Sequence, residues 1–98
     1  MSILHLVNKS PYENSNLDTA SSIMKSDDML LLIEDGVYGA VKSGKASAML
    51  AGRKVTALGP DLAARGISVD KLADDIEVID YAGFVDLVET NDKVQSWL

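Results

Sequence analysis

Met29-Leu30-Leu31-Leu32-Ile33-Glu34-Asp35-Gly36-Val37-Tyr38 is an apolar run of strand length that stops abruptly at two carboxylates and a glycine. A strand buried on both faces reads as continuous hydrophobicity, whereas a half-exposed one alternates. A glycine-containing turn from such a strand into a helix is how parallel α/β sheets are built. Sites in open α/β sheets gather at the carboxyl ends of the strands, so Glu34, Asp35 and Gly36 form a candidate strand-end turn.

Elements of the same kind flank this run. Ile3 to Val7 reads as a first strand with His5 at its middle, ended by Asn8-Lys9-Ser10-Pro11, because proline cannot donate to a ladder. Ser15 and Asp18 have the spacing of a capping box, and Leu17, Ala20 and Met24 define the inner face of a helix running to about Lys25. Asp27 and Asp28 read as a solvated turn. A second helix is expected from Gly36, presenting Val37, Ala40 and Val41 inward and broken at Gly44. Lys54 to Leu58 is a third strand, and Gly59 to Gly66 a short helix with Pro60 in its first turn and Gly66 as its left-handed stop. Ile76 to Asp80 alternates as a fourth strand. Tyr81 to Glu89 is a helix expected to turn Phe84, Val85 and Val88 inward. This β-α-β-α-β-α-β-α order predicts an α/β fold, a three-layer α/β/α single domain over residues 1–98 on a mainly parallel sheet.

Composition removes much chemistry. Ninety-eight residues hold one core, and no apolar run approaches the ~20 residues of a membrane span. No signal-peptide core opens the chain, so a cytoplasmic location is expected. A net charge of −6 argues against direct nucleic-acid binding. With no cysteine, the chain has no thiolate nucleophile, persulfide carrier or Cys-ligated metal, and a single histidine rules out a multi-His site. No Gly-x-Gly-x-x-Gly or Walker sequence occurs, and Gly44-Lys45 is followed by Ala46. No catalytic, cofactor or metal residue is assigned. Glu34 and Asp35 read most simply as a turn and helix cap, with a small-anion or nucleotide site as the functional alternative. Tyr38 and Tyr81, lying at element ends, and the terminal Trp97-Leu98 are candidate interface residues.

Several segments together resemble the DsrH/TusB family of sulfur-relay proteins. They are His5-x-x-Asn8-Lys9-Ser10-Pro11, Leu30 through Tyr38, Asp61-Leu62-x-Ala64-Arg65-Gly66, Ile79-Asp80-Tyr81-x-x-Phe84-Val85 and Gln95-Ser96-Trp97-Leu98. The resemblance implies a DsrE/F-like fold and a place in a heterohexamer with DsrE/TusD-like and DsrF/TusC-like subunits. It implies that a cysteine on the DsrE/TusD-like subunit carries persulfide sulfur to a downstream acceptor. One branch leads to 2-thiouridine at the tRNA wobble position, another to dissimilatory sulfur oxidation. Some members carry a cysteine on the first helix, near Ala20. Here Ala20, Ser21 and Ser22 stand there, which argues against a sulfur-carrying role for this chain.

Overall fold

The computed structural model describes residues 2–44 and 46–97. Five strands, β1 (Ile3–Val7), β2 (Met29–Leu32), β3 (Lys54–Leu58), β4 (Ile76–Ile79) and β5 (Lys93–Trp97), form one sheet in the order β4-β3-β2-β1-β5. Every pairing is parallel, with His5 opposite both Leu30 and Gln95, and Leu31 opposite Thr56. The helices are α1 (Asn16–Ile23), α2 (Ser47–Leu50), α3 (Gly59–Ala64) and α4 (Tyr81–Thr90). The parallel α/β architecture is the one expected, and the boundaries of β1 and β3 fall where the sequence puts them.

The central run behaves as a strand covered on both faces: Leu30, Leu31 and Leu32 have no exposure. Ile33 lies one residue past the strand and is half-buried. From β1 to β4 the chain steps steadily toward one edge, so right-handed crossovers put α1, α2 and α3 on one face. That face holds the main core, in which Leu17, Ala20, Val37, Leu50 and Leu62 pack on Val7, Leu30, Leu32, Val55 and Ala57. The last crossover runs back from β4 to β5 across the whole sheet, so α4 lies on the other face, the one to which strand alternation turns Leu4, Leu31 and Leu58.

Five expectations are corrected. The tail is a strand, β5, that pairs with β1 across some ninety residues of sequence. The segment after β2 is a 3-10 helix over Glu34–Ala40, although Val37 and Ala40 are buried as expected. A Cβ on Gly36 would stand 2.1 Å from the carbonyl oxygen of Val7, so this stretch runs against the end of β1 with no room for a side chain. Ser15 makes no side-chain cap; the Asn16 N–H at the start of α1 donates to Asn14 Oδ1 instead. Asp28 is buried, not a solvated turn residue. Finally, α4 buries no residue fully: Val85 is 55% and Val88 40% exposed, and Phe84 is half-buried. The stop after α3 forms as read, with Gly66 at φ 68°, its N–H on Ala63 O and the Ile67 N–H on Leu62 O.

Candidate functional site

The carboxyl edge of the sheet carries the strand-end turn. Glu34 takes a left-handed φ of 49°, which lets the chain leave β2 sharply. Its N–H donates to Asp61 Oδ2 at 2.6 Å, and the Gly36 N–H donates to Ile33 O at 2.8 Å. Asp35 accepts from Arg65 Nε at 2.8 Å, and this bond, with the neighbouring carboxylates, raises the guanidinium pKa. The donors that an incoming anion would need are thus already turned onto carboxylates and carbonyls. An anion here would have to displace Asp61 and meet Glu34 and Asp35, so the geometry does not favour the small-anion reading.

The candidate interface residues do not converge. Tyr38 is partly exposed on the 3-10 helix beside Arg65. Tyr81, 60% exposed, opens α4 just after β4. Trp97 ends β5 at the opposite edge, four strand spacings or about 19 Å away. Leu98 lies outside the described residues. Trp97 folds back onto its own core: its ring stacks on His5 with centroids 6.2 Å apart and an interplanar angle of 28°.

That contact belongs to a buried polar cluster not evident from the sequence. His5, 2% exposed, stands on β1 between β2 and β5. Its Nε2 is 3.0 Å from Asp28 Oδ2, and the Trp97 Nε1–H donates to its Nδ1 at 3.1 Å. An acceptor at Nδ1 fixes the neutral tautomer with the proton on Nε2, which then donates to Asp28. Asp28 also accepts the backbone N–H groups of Ile3 at 3.0 Å and Lys25 at 3.2 Å. Burial works to raise its pKa, but the hydrogen bonds from His5, Lys25 and Ile3 outweigh it and the carboxyl ends below its ordinary value.

A histidine oriented by a buried aspartate has two parts of a hydrolytic triad, but the nitrogen that would activate a nucleophile is capped by an indole N–H. The Ser10 hydroxyl accepts the Tyr12 N–H at 3.2 Å. The cluster therefore acts as a clasp joining β5, β1 and the turn before β2. The signal that could have found it was His5 inside an otherwise apolar strand, since a buried imidazole must find partners.

A family model described as DsrH like protein matches residues 9–94. The chain belongs to the DsrH-like family. Members similar to it include Protein TusB of Photorhabdus laumondii, 32% identical over 97 residues, covering 97% of this chain and all of that protein. Protein TusB of Escherichia coli K12 is 34% identical over the same coverage. Among solved structures, the ychN protein from E. coli superposes with a TM-score of 0.86 at 22% identity over 98% of both chains, and this likeness speaks to the fold. A protein of unknown function from Methanobacterium thermoautotrophicum, MTH1491, shares the fold more loosely, with a TM-score of 0.67 at 16% identity over 96% of both chains. Among the described residues no helix is long and apolar enough to cross a membrane, and no cluster of three or more metal-ligating side chains occurs.

Proposed function

We propose that this DsrH-like chain is a non-catalytic subunit of a cytoplasmic sulfur-relay assembly, partnered by DsrE/TusD-like and DsrF/TusC-like subunits in a heterohexamer. The relay delivers persulfide sulfur toward 2-thiolation of the tRNA wobble uridine or, in the DsrH-like branch, toward dissimilatory sulfur oxidation. The observation that carries the reading is an end-to-end family match in a chain without a single cysteine. In sulfane transfer a thiolate attacks the terminal sulfur of a persulfide and releases the donor thiolate. The four methionines are thioethers with no ionisable proton, and His5 is sealed between Asp28 and Trp97. The sulfur then rides on a partner's cysteine and passes to a downstream acceptor protein, while this chain helps complete and shape the assembly.

The test is to load the reconstituted assembly with a radiolabelled sulfane donor and separate the subunits without reductant. Label is expected on the cysteine-bearing partner alone. Covalent label on this chain would overturn the non-catalytic role.

A further inference from the structure

The acidity of this chain is local. Residues 73–92 hold seven carboxylates and no Lys or Arg, while charges elsewhere nearly balance, so this one stretch accounts for the net −6. The same stretch contains α4, whose outer side leaves Tyr81, Val85 and Val88 open beside half-buried Phe84. Together with Glu89, these side chains line a shallow groove that is almost entirely apolar. A lone helix covering one face of a five-stranded sheet, with its outer side apolar and its flanks anionic, is an unfinished interface.

The charge decides what finishes it. A second copy would set Asp86 and Glu89 of one α4 against the same carboxylates of the other, and like-charge juxtaposition opposes pairing. Anionic lipid headgroups and nucleic-acid phosphates are repelled for the same reason. We propose that the open face of α4 docks a partner protein presenting an apolar helix or ridge rimmed by Lys and Arg. This rests on the subunit reading above, and it assigns the surface and the complementary chemistry that the reading leaves open. Val85, an exposed lining residue of the groove, supplies the apolar contact; Asp86 and Glu89 supply the charged rim.

The probe is an 18-residue amphipathic Leu/Lys helix, with a Leu/Glu helix of the same pattern as control, titrated into the ¹⁵N-labelled full chain. Binding of the Leu/Lys helix is expected to shift amides over residues 81–89 and to weaken as salt is added. Val85→Glu should weaken binding about tenfold although it adds a negative charge, because a buried apolar anchor is lost. Glu89→Lys, on an exposed position, should also weaken the Leu/Lys helix and improve the Leu/Glu one. Shifts scattered over acidic sites elsewhere, or binding that Val85→Glu leaves equal or stronger, would overturn the proposal. So would sedimentation showing a wild-type homodimer that Val85→Glu dissociates. Co-expression with the two paralogous α/β subunits separates this proposal from the relay reading. A complex that survives Val85→Glu refutes the surface, whereas peptide docking on α4 without any complex upholds the surface and removes the relay assembly.

Discussion

Replacing Asp28 by alanine tests the clasp, because one carboxylate satisfies three donors there. The His5 Nε2–H is fully enclosed, and losing its acceptor leaves a buried donor unmade, at a cost of about 1–3 kcal/mol. The Ile3 and Lys25 N–H groups are only part-buried and recover much of their bonding from water, adding about 1 kcal/mol together. A total near 3 kcal/mol is a large share of the ~5–15 kcal/mol that holds a domain folded. For a chain of this size it corresponds to a fall in melting temperature of roughly 12–24 °C. Trp97, the sole tryptophan, reads the experiment from the other side of His5, so urea unfolding followed by its fluorescence reports both stability and the state of the clasp. The sign with pH also follows. A carboxyl whose folded pKa is depressed contributes stability that is complete above its unfolded value, near 3.8, and is lost as pH falls through the lower folded value. The gap between wild type and Asp28→Ala should therefore be full at neutral pH and narrow only in strong acid. A variant within about 0.5 kcal/mol of wild type, with unchanged native-state emission, would match an ordinary surface change and refute the clasp.

Leu31→Ala should cost about 2–5 kcal/mol by leaving a cavity at a fully buried side chain, measured by the same denaturation. Gly36→Ala should destabilise by about 1–3 kcal/mol or more, since the added methyl meets the carbonyl of Val7 and neither backbone can yield freely; a neutral result in thermal melts would contradict the close approach. Arg65→Ala should cost no more than about 1 kcal/mol, because its partner Asp35 is 56% exposed, and that small loss should shrink further in high salt.

The run at 29–33 was legible because it is of strand length and closes on carboxylates and a glycine, and Gly66 because a glycine after a short helical pattern suits a left-handed stop. What stayed hidden depends on distant partners. Lys93–Trp97 has only Val94 and Trp97 as apolar residues, and its pairing partner lies some ninety residues away. Asp28 looks identical to the exposed Asp27 next to it until His5, twenty-three residues earlier, is placed against it. In α4, apolar residues occupy more than half the circumference, so periodicity names a helix but not which stripe its own sheet covers. Glu34 to Gly36 follow the carboxyl end of β2 at the start of the 3-10 helix. That Asp61 occupies the Glu34 donor is a matter of three-dimensional approach that no spacing encodes.

The position of β5 bears on how the molecule comes into being on the ribosome. In the finished sheet β1 is an interior strand, yet one of its two neighbours is synthesised some ninety residues after it. Until that later segment emerges, the nascent chain presents β1 with an unpaired flank, the arrangement that invites pairing with other chains. Joining segments some ninety residues apart also carries a loop-closure cost that slows the final step. Insertion of the Trp97 ring beside His5 would mark the moment at which that vulnerable flank is closed.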